Sequence, residues 1–185
     1  LDPYFRTLRG FQILIEKVYS NLSMLRGVTY TESDIAKYYT DAKEGMFVGG
    51  SAPLTEAEQQ IFNHIQSQSK LSVRVTLKSV EEKFERKSFG WSTHAILANV
   101  ARLCGSHKLE ATNDSNQLLD DDLIRSLKSS RDLSNIILQT VSVIPASQIR
   151  FLKTFFEDFF DQPPVSTDAR GLTTEISNGF RELSN

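Results

Sequence analysis

The chain has 185 residues, of which 39% are hydrophobic and 24% charged, with a formal net charge of −2. That length suits one good core or two small domains, and the mix is ordinary for a folded globular protein. The near-neutral balance argues against wholesale coating of nucleic acid and leaves room only for a local basic face. A single cysteine, Cys104, excludes an internal disulfide framework and fits a reducing compartment, so a cytoplasmic location is expected. No run of eighteen apolar residues occurs, and no membrane contact is expected. The opening Leu1-Asp2-Pro3 lacks an initiator Met and a signal peptide's basic and apolar regions, which reads as a piece excised from a longer protein.

Tyr4, Leu8, Phe11, Ile15, Val18, Leu22 and Leu25 recur at spacings of three and four, predicting one face of a long amphipathic helix. Pro3 suits its first turn and Gly27 its stop. Thr31-Glu32-Ser33-Asp34 resembles a capping box ahead of a short second helix with Ile35, Tyr38 and Tyr39. Gly45 to Pro53, containing Gly49-Gly50, reads as a linker and sets the main boundary.

Beyond it, the capping box Thr55 to Glu58 opens a helix through Ile61, Phe62 and Ile65, and Ser72 to Thr76 alternates as a short strand or extended link. Leu77, Val80 and Phe84 mark another helix, and Ser92 starts a third through Ile96, Leu97, Val100 and Leu103, stopped by Gly105. Lys108–Thr112 and Gln117–Leu119 flank the polar turn Asn113–Asn116 as a hairpin. This is the element order of a winged helix. Leu123–Lys128 then reads as a short helix and Ile136–Val143 as a buried strand. An aromatic helical stripe runs from Ile149 to Phe160, ended by Pro163-Pro164, before a last helix with Leu172, Ile176, Phe180 and Leu183. The expected fold is α+β, mainly α with a small β component. Residues 1–50 form a helical segment, 51–144 a winged-helix-like domain and 145–185 a helical tail.

No site for catalysis is legible. A phosphate-holding loop of the Gly-x4-Gly-Lys-Ser/Thr kind is missing, and Gly49-Gly50 lacks the lysine. Cys104 and His107 have ligand-like spacing, with His64 and His94 in the same domain, but structural zinc normally takes four ligands in two close pairs. Cys104 therefore reads as a small core residue, and neither metal nor cofactor is expected in this chain. Asp120-Asp121-Asp122 reads as a helix N-terminus, where carboxylates accept orphan N–H bonds and offset the helix dipole.

Charge is more informative. Lys70 to Lys108 holds eight basic residues against three acids, a net of +5 across the helix-turn-helix, whereas Glu110 to Asp122 holds five acids and no base. Lys78, Lys83, Arg86, Lys87 and Arg102 are the candidate nucleic-acid contacts, directed mainly at phosphates. Outside its apolar stripe the third helix offers Ser92, Thr93, His94, Asn99 and Arg102, a thin set for reading bases, and the wing tip is neutral to acidic.

The run Val80–Trp91, with Phe84-Glu85-Arg86-Lys87-Ser88-Phe89-Gly90-Trp91 inside it, resembles the F-x-x-x-P-Y-G-W element of the BrxC/PglY family. These are large P-loop proteins of the bacteriophage exclusion (BREX) defence systems. Here Ser88-Phe89 stands where the family has Pro-Tyr. Ile96–Leu103 with Lys108-Leu109-Glu110 is similar to that family's I-x-x-x-L-A-x-L-x-x-x-G-x-L. Phe155–Pro164 with Asp168-Ala169-Arg170 resembles its F-F-D-x-P-P…D-A-x-x-L. The resemblance implies an AAA+-like ATPase, using ATP and Mg, whose motor lies N-terminal to these residues. Its expected partners are other BREX proteins or further copies of the same ATPase, with DNA backbone a further candidate. The expected role of this chain is non-catalytic assembly or DNA handling. A sequence-specific winged-helix regulator is the alternative and a hydrolase a distant third.

Overall fold

A computed structural model describes residues 2–47, 53–114, 116–141, 146–166 and 169–183. They divide into two compact units, Leu1–Val141 and Ser142–Asn185. In the first, α1 (Pro3–Val18) and a 3-10 turn (Leu22–Leu25) lead to α2 (Glu32–Phe47), α3 (Glu56–Lys70), α4 (Leu77–Glu85) and α5 (Thr93–Gly105). The strands β1 (Leu109–Asn113) and β2 (Asn116–Gln117), α6 (Asp120–Lys128) and β3 (Ile137–Thr140) follow. The second unit pairs α7 (Ala146–Phe160) with α8 (Ala169–Leu183). The class is the expected one, mainly helical with a small sheet.

Local chemistry sets most boundaries. Thr55 and Glu58 form a reciprocal capping box at α3, and Thr76 with Ser79 does the same at α4. Ser92 caps α5 by accepting from Ala95 N at 3.3 Å. At α2 only half of the expected box forms, since Thr31 N and Oγ1 both donate to Asp34 at 2.7 Å. Those two bonds favour the ionised carboxylate and hold Asp34 below its ordinary pKa.

The long first helix is shorter than its apolar spacing suggests. α1 stops at Val18 because the loop before α5 intrudes: Ser88 N donates to Val18 O at 3.0 Å, and Asn21 N donates to Ser88 O at 2.7 Å. Leu22 and Leu25 then reach the core from the 3-10 turn, while no residue of α1 is buried. The linker also begins later than expected, for α2 continues through Gly45 to Phe47; Gly49-Gly50 lies outside the described residues.

The sheet has order β2-β1-β3, both pairings antiparallel. Asn113 opposite Asn116 closes the hairpin, with Ser115 of its turn outside the described residues. The Ser72–Thr76 segment forms only a bridge from Thr76 to Ile137, and β3 takes the place beside β1. Leu109, Ala111, Ile136 and Leu138 turn inward against α3 and α5. Val143, expected at the end of that strand, is outside the described residues.

Two contacts organise the core. Trp91, 1% exposed, stacks on Phe84 at 4.9 Å between ring centroids and meets Phe89 edge-on at 5.2 Å; its Nε1 donates to Asn21 O at 3.1 Å. A ring packed this way is worth several kcal/mol, roughly 3–5 for full truncation. The second contact is α2 lying along α5, with Ile35, Tyr39, Ala98 and Ala101 buried. The helices come so close at Gly105 that a Cβ there would sit 2.4 Å from Tyr39 O. The expected division after residue 50 is therefore not the one the fold makes, because α2 belongs with the helix-turn-helix in one unit. The expected boundary at 144/145 adjoins residues outside those described.

In the second unit, Phe159 and Phe160 pack on Phe180, and Leu172 is fully buried. Glu175 accepts from Val165 N at 3.1 Å and Ser166 N at 2.8 Å, holding the turn after Pro163-Pro164. Asp168 of the resembling tail motif falls outside the described residues.

Gly105→Ala should lower unfolding stability by about 1–3 kcal/mol, since the α2 backbone itself must move. Gly10→Ala, with nothing within 4 Å of the added methyl, should raise helix content without lowering the midpoint. Urea unfolding followed by Trp91 fluorescence and circular dichroism tests both.

Candidate nucleic-acid interface

The helix-turn-helix is α4, the turn around Gly90 and α5. In a DNA-reading arrangement the second of these helices needs an open face for the major groove. Here ten of the thirteen α5 residues are buried, and only Thr93, His94 and Arg102 are not. α2 covers one side, while α3, α4, α6 and β1 pack elsewhere on the helix.

Four of the five polar side chains that α5 and its cap could have offered to bases are turned to structural use. Ser92 is the cap of α5, and Thr93 Oγ1 donates to Glu85 Oε1 at 2.7 Å. Asn99 is 1% exposed and donates through Nδ2 to Ala95 O at 2.7 Å. Arg102 Nε lies 3.1 Å from Oε1 of Glu58, a carboxylate with only 1% of its side chain exposed, and the guanidinium sits 5.9 Å from the Tyr38 ring centroid. The other Glu58 oxygen accepts from Thr55 N at 2.8 Å. Next to this pair, burial first and Tyr38 second push the Tyr30 hydroxyl above its ordinary pKa, and a hydrogen bond from Asn99 opposes them.

The remaining candidate contacts divide. Lys78 Nζ binds the buried Glu81 at 2.6 Å, and Arg86 lies 3.8 Å from Glu82. Lys83 and Lys87 are exposed; Lys83 is near enough to His64 to add to the effect of burial in lowering that imidazole's pKa. The structure thus puts three of the five basic candidates beside acids, and only Arg102 of the five lies on α5. A cleft of about 430 Å³ at the start of α5 alternates Glu32, Lys78, Glu81, His94 and Lys128, so it offers no single-sign surface to a phosphate backbone.

Glu58 was hidden from sequence reasoning by its other role. As the third residue of a capping box it explains itself, and nothing local announces that its second oxygen meets Arg102, 44 positions on. The acidic run also behaves differently from expectation. Asp120, Asp121 and Asp122 occupy the first turn of α6, but the N-cap is Leu119 and no side chain caps. Asp120 instead takes the Lys43 ammonium and the Tyr39 hydroxyl, the latter at 3.0 Å, which fixes α6 to α2. Among the described residues no three His, Cys, Asp or Glu side chains gather as a metal site. Cys104 is buried, and that burial pushes its thiol up to about 12. Among the described residues no helix is long and apolar enough to cross a membrane.

Two predictions follow from these pairs. Arg102→Ala should cost about 2–3 kcal/mol of stability, less than a fully buried pair because a third of the arginine side chain meets water. Glu58→Gln combined with Arg102→Met should recover most of it, as read from urea midpoints in a double-mutant cycle. The Lys43 ammonium, and then Tyr39, hold Asp120 below the ordinary carboxylate pKa, and Asp120 holds Lys43 above its own. The tie is complete between about pH 4 and 10. It is lost as pH falls through the depressed Asp120 value or rises through the raised Lys43 value. Lys43→Met should move the Asp120 carboxyl midpoint upward in an NMR titration.

Residues 21–141 match the family model described as the BREX ATP-binding protein BrxC winged helix-turn-helix domain. No curated protein and no solved structure matches the chain. The matched span opens beside the 3-10 turn that first enters the core and closes at Val141, the last residue of the first unit, leaving α1 outside. With the family model covering more than half of the chain, and with the helix-turn-helix, hairpin and FGW packing in place, the chain belongs to the BrxC family of BREX phage-defence proteins and contains its winged-helix, non-motor region.

Proposed function

We propose that this chain is a non-catalytic assembly module of a BREX ATPase, making protein contacts within the defence complex. The observation that carries the reading is the covered α5: α2 packs along it, ten of its thirteen residues are buried, and Arg102 is paired with Glu58. Reading bases would mean lifting α2 away, which would expose Ile35 and Tyr39, buried now, at a cost of several kcal/mol. In this reading ATP and Mg act at the motor outside this chain, and the partners are other BREX proteins or further copies of the ATPase. Any DNA contact runs through the exposed Lys83 and Lys87 to phosphates.

Anisotropy titrations against several duplexes at two salt concentrations test it. Binding should be weak and alike for all sequences, and Lys83→Ala with Lys87→Ala should flatten the log affinity against log salt slope by about 0.9 per lost contact. One duplex bound about a thousandfold tighter than the others, with that preference lost in Arg102→Ala, would overturn the assembly reading in favour of a sequence-specific regulator. In cells carrying the whole system, cross-links from Lys83 or Lys87 should reach other protein chains.

A further inference from the structure

Among the described residues nothing packs along the apolar face of α1, a well-started helix tied to the domain only at its C-terminal end. Pro3 occupies its first turn and Asp2 accepts from Tyr4 N at 3.0 Å, yet none of its sixteen residues is buried. A helix of that length, carrying Gly10 at its centre, is marginal in water unless an apolar face is covered. Its apolar residues do form such a face. Tyr4, Leu8, Phe11, Ile15 and Val18 alternate spacings of four and three, the 3.5-residue seam of a coiled coil. Tyr4 is 68% exposed, Leu8 44%, Phe11 58% and Ile15 46%.

The positions flanking the seam are Phe5, Thr7, Gln12 and Leu14, all uncharged, and Phe5 and Leu14 are themselves more than half exposed. Arg6, Arg9, Glu16 and Lys17 lie away from it. Charges at flanking positions are what select a different partner and repel a like one. This seam has none, so it accepts its own copy without penalty. The area is also right. The exposed parts of the seam and flanking side chains come to roughly 700 Å² a copy, so two copies offer at most about 1,400 Å², which reaches the range of a stable specific interface when most of it is covered. An isologous pair about a two-fold axis uses the same patch twice and needs no second surface.

We propose that α1 is a dimerisation helix, packing against α1 of a second copy of this chain along the Tyr4–Leu8–Phe11–Ile15 seam. The proposal rests on the assembly reading and names one partner within it. Because α1 lies outside the matched domain and contributes nothing to the core, the domain's fold does not depend on the seam.

Light scattering and sedimentation of the whole chain from about 1 to 100 µM test it, since a dimer's mass is concentration-dependent. The wild type should reach twice the 20.9 kDa chain mass. Leu8→Glu with Phe11→Glu should hold it at one chain mass throughout, while Arg9→Glu, off the seam, should leave the dimer intact. Unchanged Trp91 emission in all three shows that the core is untouched. A wild type that stays monomeric at the highest concentration, or a dimer that survives the double substitution, overturns the proposal. Such a monomer that still cross-links to other proteins of the system sinks the helix pairing and spares the assembly reading. A dimer that binds one duplex selectively does the reverse.

Discussion

The close approach of α2 to α5 is the contact on which the rest of the first unit depends. Helices usually pack about 8–10 Å apart, the distance set by the side chains between them. At Gly105 the α5 backbone has no side chain, and the Tyr39 carbonyl occupies the space where a Cβ would be. From that approach follow the burial of Ile35 and Tyr39 and the reach of Tyr39 and Lys43 to Asp120, which fixes α6. The helix-turn-helix of α4 and α5 thus has α2 laid along its second helix, inside the same unit.

Enclosed in this way, α5 turns three of its polar side chains to structural use. Asn99 is satisfied within the helix, Thr93 by Glu85 at the end of α4, and Arg102 by Glu58 on α3. The basic excess of the Lys70–Lys108 stretch is a property of the sequence line. In three dimensions much of it is local neutralisation, with Glu81 and Glu82 beside Lys78 and Arg86. Both pairs keep an exposed cation, so screening by water holds their contribution to stability small.

Local signals made much of this fold legible. The capping boxes at Thr55 and Thr76, the Ser92 cap, the polar hairpin turn and the packing of Trp91 on Phe84 and Phe89 all follow from neighbouring residue types and from periodicity. What stayed hidden depends on distant backbone. The seven-residue apolar series from Tyr4 to Leu25 reads as one helix, and only the arrival of Ser88 breaks it after Val18. Glu58 reads as a cap because it is one, and its pairing with Arg102 exists only after α3 and α5 meet. Counting charges along the chain likewise cannot show which of them meet acids in space, as Lys78 meets Glu81 and Arg102 meets Glu58.

The splice at Ser88 has a mechanical meaning. Its N–H and its carbonyl grip the chain on either side of the Tyr19–Ser20 corner, and three residues later Trp91 holds Asn21 O through its indole. Gly90 is pressed against the Tyr19 ring at a positive φ that leaves no room for a side chain. α1 therefore leaves the domain from a clamped root. A torque applied to its outer end is delivered through the backbone bonds of Ser88 and the indole bond of Trp91 to the residue before the Ser92 cap, where α5 begins.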